Sequence, residues 1–147
     1  MQINIIPSPV DVETRAEQVR YTFHKAERLC SVKAISILFE KGEIFHTSLF
    51  KVVWMYSSVN LTYPAQVAFS VSKRNFRHAV SRNLVKRRLR ESYRKNKHVL
   101  YEHLRCENKY LVFMIIVKGD NIPDQGTIEK EICNVIKKLI KNARQKC

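Results

Sequence analysis

The sequence predicts an α/β sandwich (an α+β domain) of order α-β-β-α-β-α, with helices packed on a small mixed sheet. Three observations predict it. Phe50 to Tyr56 alternate, with Phe50, Val52, Trp54 and Tyr56 on one face and Lys51, Val53 and Met55 on the other. That is the period of a strand with side-chain mass on both faces. Tyr110 to Val117 is a continuous apolar run, as a strand buried on both sides requires. Ile128, Ile132, Val135, Ile136, Leu139 and Ile140 recur at i, i+4, i+7, i+8, i+11 and i+12, the stripe of an amphipathic helix. A chain of 147 residues, 45% of them hydrophobic, is most simply one domain around one core.

Taken in order, residues 1–20 read as an N-terminal extension, because Ile6-Pro7-Ser8-Pro9 breaks any regular element and Asp11 to Gln18 is polar. Residues 21–147 form the domain. A first helix is expected from about Lys25 to Lys41, ended by Gly42. Its apolar residues Leu29, Val32, Ile35, Leu38 and Phe39 spread over more than one narrow stripe, which suits a helix covered on one side and lining a groove with the other. Ser57 to Pro64 makes a turn, and Gln66 to Ser72 supplies the next strand. A basic helix starts near Arg77 or His78 and fades after Asn96. Lys118 to Gly126 holds Gly119, Pro123 and Gly126 and is a loop before the last helix.

The functional signal is the basic helix. Lys73 to Lys97 carries eleven Lys or Arg residues against one acid, Glu91, and so supplies +10 of the chain's formal +14. A disordered basic arm is the ordinary source of such charge, but Val80, Leu84, Val85, Leu89 and Tyr93 interleave this one. At 100° per residue, Arg82, Lys86, Arg90 and Arg94 form one ridge, with Asn83 and Arg87 beside it. Val85, Leu89 and Tyr93 form an apolar row suited to packing on the sheet. A solvated helix face usually mixes signs, whereas like charges at i+4 cost roughly 0.2–0.5 kcal/mol per pair. The ridge therefore implies a polyanion that relieves it, which is nucleic acid. Arginine forks suit phosphate oxygens, and the Asn83 amide adds a donor and an acceptor. Arg88 points away from the ridge.

Several classes are disfavoured. The three aspartates, Asp11, Asp120 and Asp124, do not offer the converging carboxylates of a two-metal nuclease. The five histidines include no convincing pair, and neither Ser/His/Asp nor Cys/His nucleophile patterns are supported. Cys30, Cys106, Cys133 and Cys147 form no CxxC pair and read as reduced thiols. No apolar run reaches membrane-spanning length, and the N-terminus does not read as a signal peptide, so a cytoplasmic location without membrane contact is expected. Among aromatics, Phe39 and Trp54 are candidates for stacking on a base.

The run Phe69-Ser-Val-Ser-Lys73-Arg74, followed by Ala79-Val80-Ser-Arg82-Asn83-Leu84-Val85-Lys86-Arg87-Arg88-Leu89-Arg90-Glu91-Ser-Tyr93-Arg94, resembles the signature of the bacterial ribonuclease P protein subunit. The resemblance extends upstream to Glu27-Arg28-Leu29 and Phe39-Glu40-Lys41-Gly42, and covers about residues 21 to 142. It implies an α/β sandwich with a left-handed crossover at the strand–basic helix–strand unit, against the usual preference. It implies, too, that an RNA subunit with bound Mg²⁺ removes the 5′ leader of precursor tRNA, the protein itself being non-catalytic and needing no bound cofactor or protein partner. RNA-subunit contacts are then implied at Lys73, Arg74, Arg82, Asn83, Lys86, Arg87, Arg88, Arg90 and Arg94. A leader-binding cleft is implied at Ile35 and Phe39 of the first helix with Phe50, Val52 and Trp54 of the sheet.

The family's Arg-Asn-Arg triplet is Arg82-Asn83-Leu84 here, and Arg88, one turn on and about 40° away, is the candidate substitute. Ile35 stands where the family usually has an aromatic ring, and Ala68 where it usually has glycine. The rival readings are a structural ribosomal RNA-binding protein and, further off, a DNA-binding module. The ordered motif from Phe69 to Arg94 favours the ribonuclease P family.

Overall fold

The computed structural model describes residues 22–145; the expected extension lies outside them. A short 3-10 turn, Lys25–Glu27, precedes helix α1, Val32–Lys41. Strands β1, Glu43–His46, β2, Phe50–Tyr56, and β3, Ala65–Ser70, lead to the long helix α2, Ala79–Glu107. Strand β4, Leu111–Val117, and helix α3, Gln125–Gln145, complete the described chain. The sheet runs in the order β1-β2-β4-β3. The pairs β1–β2 and β2–β4 are antiparallel, and β3–β4 is parallel. Strand β4, the apolar run, is thus central, and α2 is the crossover that a parallel neighbour needs.

The helices cover both faces. Phe50, Val52, Trp54, Val67, Phe113 and Ile115 pack with Val85, Leu89 and Tyr93 of α2 and with Ile128, Ile132 and Leu139 of α3. On the other face Val53, Val112 and Met114 pack with Leu29 and with Leu38 of α1. Gly42 ends α1 hard against β2: a Cβ there would press into the Leu38 carbonyl oxygen and sit 2.8 Å from Val53 Cγ1. Only glycine permits that approach.

Three local differences from the sequence expectation have physical causes. The first helix is split, because Arg28 bridges to Val67 and the Leu29 amide donates to the Val67 carbonyl at 2.9 Å, extending the chain along the edge of β3. Ser31 then caps a new helix, its hydroxyl accepting from the Ala34 amide at 3.2 Å. Strand β1 is an additional short edge strand, pairing Ile44 with Val53 and Phe45 with Val52 around a turn held by Thr47. Helix α2 runs on past Asn96, because buried Leu100, Tyr101 and Leu104 continue its apolar face. It stops at Asn108, whose φ of 55° is the left-handed cap that ends helices.

A buried polar knot joins the ends of this fold. The Glu27 carboxylate, fully buried, accepts from Lys97 Nζ, from the Tyr101 hydroxyl and, at 2.7 Å, from the His24 amide. Lys97 also donates to the Thr22 carbonyl. Phe23, Phe69, Tyr93 and Phe113 meet edge-on beside it, with Phe23 and Tyr93 centroids 5.7 Å apart. The segment before α1 is thereby fastened to the middle of α2.

Burial pushes the phenols of Tyr93 and Tyr101 far above the ordinary tyrosine value. Groups with raised folded-state pKa values stabilise the fold fully below the unfolded value near 10 and cease to do so as pH rises beyond it. Burial also lowers the Lys97 pKa below 10.5, which acts with the opposite sign and in the window beneath that value. Stability is therefore expected to fall above about pH 10, and an ultraviolet tyrosinate titration should show two of the six tyrosines ionising only as the fold is lost. Smooth ionisation of all six with the fold intact would contradict the burial of this pair.

Candidate nucleic-acid interface

Two elements present the cations: α2 and the loop between β3 and α2. The loop is pinned from inside by Val71 and Phe76, both buried in the core, so Lys73, Arg74 and Arg77 are left outward and exposed. The Ser72 hydroxyl accepts from the Arg74 amide at 3.0 Å. Arg82 closes the arrangement: its Nη1 donates to the Phe76 and Arg77 carbonyls at 2.8 and 3.0 Å. Half-buried, Arg82 thus shapes the loop as well as charging it. Arg77 belongs to this cluster although the motif did not single it out.

Along α2, Asn83, Arg87 and Arg90 are exposed, and Lys86 is half-buried at the edge of the same face. Arg94 pairs with Glu91 at 2.6 Å, and Lys95 approaches that carboxylate at 3.9 Å, so the one acid of the segment is held among cations. The neighbouring guanidinium holds the Glu91 carboxyl below its ordinary value. Arg88 is committed elsewhere: its Nη1 donates to the Pro123 carbonyl at 2.6 Å, while Gln125 Nε2 reaches the Arg88 carbonyl and Ser92 Oγ. Arg88 therefore ties the loop before α3 to α2. Lys97, counted in the basic segment, is buried in the polar knot and unavailable to a ligand.

The cleft residues divide by strand parity, and three of them are corrected. Phe50 and Val52 are 0% exposed and Trp54 is 2% exposed, all in the core beneath α2 and α3. They lie on the face of the sheet opposite α1, so they line no cleft with it, and Trp54 is not an exposed stacking ring. The reason is mass: the larger apolar set of β2 turns to the side carrying two helices, and Lys51, Val53 and Met55 turn to α1. Ile35 does pack over that second face, and Phe39 is 52% exposed on α1.

The open part of that face is a row across the strands. Register places His46 beside Lys51, Lys51 beside Ile116, and Ile116 beside Ser70. Helix α1 buries the next row at Val53 and Met114, whereas His46 is exposed and Lys51, Ile116 and Ser70 are half-exposed. Ser70 leads within three residues to Lys73, so the row opens toward the cationic loop. Lys51 and Ser70 lie in the alternating strands read from the sequence, and Ile116 in its continuous apolar run. His46 lies in the unpredicted β1, and no such pattern says which face α1 covers. Among the described residues, no three His, Cys, Asp or Glu side chains converge as a metal site, and no helix is long and apolar enough to cross a membrane.

Comparison with known proteins bears on the family and the fold. A sequence model of the family described as Ribonuclease P matches residues 23–143. The chain is 37% identical over 106 residues to the ribonuclease P protein component of Porphyromonas gingivalis, covering 72% of this chain and 77% of that protein. Its fold is similar to RNase P protein from Thermotoga maritima, with TM-score 0.61 and 22% identity over 76% of this chain and 96% of that one. It is likewise similar to Staphylococcus aureus RNase P protein, with TM-score 0.59 and 20% identity over 77% and 94% of the two chains.

Proposed function

From the premise that this chain belongs to the ribonuclease P protein family, we propose that it docks on the catalytic RNA through α2 and holds the 5′ leader of precursor tRNA beside α1. The observation that carries this is the clamped loop. Arg82, bonded to the Phe76 and Arg77 carbonyls, and Ser72, bonded to the Arg74 amide, brace the loop that carries Lys73, Arg74 and Arg77 between α2 and the open sheet row. Asn83, Lys86, Arg87, Arg90 and Arg94 supply phosphate contacts, which position RNA without reading sequence. Arg88 acts by holding the loop before α3. The leader runs along Lys51, Ile116 and Ser70 with Ile35 and Phe39 above, an apolar and singly charged path suited to a flexible single strand. Hydrolysis belongs to the RNA subunit and its Mg²⁺, and this chain raises affinity and orients the substrate.

The test is cleavage of precursor tRNA at low Mg²⁺ by a matching ribonuclease P RNA, with and without this protein, beside the protein alone. Cleavage at the mature 5′ end only when both are present is the expected result. Cleavage by the protein alone, or no rescue, would overturn the reading. The cleft has its own prediction: Lys51→Ala raises KM for precursor tRNA several-fold and leaves affinity for the RNA subunit unchanged. Equal weakening of both would place Lys51 outside a leader site.

A further inference from the structure

We propose that the outward face of α3 is a second surface for ribonuclease P RNA, separate from the ridge of α2. Lys130, Asn134, Lys137, Lys141 and Arg144 are all exposed and follow at spacings of four, three, four and three residues. At 100° per residue they fall within an arc of about 80°. The opposite side of the helix, Ile128, Ile132, Val135, Ile136 and Leu139, is buried. After Glu131 the helix carries no acid, and Glu131 itself accepts from the Leu49 amide at the side. A face made only for solubility would mix signs, since like charges one turn apart repel. The helix dipole favours a cation in the last turn, which accounts for Arg144 and not for Lys130 or Lys137.

A second feature extends this stripe. The Tyr56 hydroxyl donates to the Ala143 carbonyl at 3.0 Å, and Lys109 Nζ lies 4.7 Å from the centroid of the same ring. The end of α3 is thereby set beside the end of α2, where Thr62, Arg105, Asn108 and Lys109 border a shallow cavity of about 170 Å³. That recess, lined also by Pro64, Leu104 and Tyr110, carries two cations and neutral hydrogen-bonding groups that suit a phosphate.

An RNA fits this surface better than an acidic protein does. None of the exposed large hydrophobic residues lies on α3, whereas protein interfaces centre on apolar and aromatic anchors. The stripe is straight and about 21 Å long at 1.5 Å per residue, long enough to follow several phosphates of one strand. It faces away from α1 across the sheet, so its RNA segment is not the one in the cleft. The surface rests on the RNA-binding reading above and adds a second docking region to it.

The test uses the full chain with Lys137→Gln, Lys141→Gln and Arg144→Gln combined. Binding is measured across a KCl series to ribonuclease P RNA and, separately, to precursor tRNA. A control carries Lys25→Gln, Lys33→Gln and Lys41→Gln, which removes equal charge from the α1 side. For ribonuclease P RNA the log–log salt slope should fall by about 2–3 and affinity by roughly tenfold or more, with an unchanged slope in the control, whose lysines lie on the α1 side beside the leader of precursor tRNA. Loss confined to precursor tRNA would overturn the surface as a docking region for the RNA subunit. Unchanged slopes for both RNAs, or an equal loss from the control, would overturn the surface while leaving the α2 reading standing. Wild-type protein that binds neither RNA would overturn both.

Discussion

Glu27→Ala is expected to destabilise the fold by about 3–5 kcal/mol, the cost of leaving a buried charge without its partner. The carboxylate satisfies three donors from two distant parts of the chain: the His24 amide, Lys97 Nζ and the Tyr101 hydroxyl. Truncation strands Lys97, which is 3% exposed and has no room to reach solvent. Lys97→Met combined with Glu27→Leu should recover only part of the loss, because it removes the stranded charge but leaves the Tyr101 hydroxyl and the His24 amide without their acceptor. Chemical denaturation of the single and double variants checks this as a cycle. A Glu27→Ala variant within about 1 kcal/mol of wild type would show that the pair is hydrated in solution. Because this knot fixes the segment before α1 against α2, its loss should also loosen the cleft side of the sheet relative to the docking helix.

Replacing Lys86, Arg87 and Arg90 together with alanine is expected to lower affinity for ribonuclease P RNA by roughly a hundredfold and the log–log salt slope by about 2–3. These residues lie on the outer side of α2 or at its edge, none in the apolar row that packs on the sheet, so the variant should fold normally. Alanine also has the higher helix propensity. Rescue of cleavage at low Mg²⁺ should disappear in step. A variant with wild-type salt slope would show that the docking face lies elsewhere on the molecule. Arg88→Ala should behave differently, weakening the hold on the Pro123 carbonyl and changing stability more than the salt slope.

How much was legible differs by kind of information. The strands Phe50 to Tyr56 and Leu111 to Val117 and the last helix could be read because their periods come from burial, which acts residue by residue. The first helix could not be read to its true start, since its split depends on Arg28 and Leu29 bonding to the sequence-distant Val67. Strand β1 is four residues long and mostly exposed, so it shows no period to detect. The cationic motif was visible as charge, yet its division of labour was not. Arg82 clamping a loop, Arg88 tying down another and Lys97 buried against Glu27 are roles that composition does not distinguish.

Fold class, family and the sign of the ligand are legible along the chain, because periodicity, motif order and net charge are local properties. Tertiary structure alone decided which face of β2 meets which helix. Alternation says that Phe50, Val52 and Trp54 share a face and that Lys51, Val53 and Met55 share the other; it is silent on which helix covers each. The two-helix layer of α2 and α3 buries the bulkier set, leaving Lys51 and Ile116 beside α1 in the open row. The candidate cleft follows from that packing choice, as does the exposure of the stripe on α3 once its apolar side is consumed by the core.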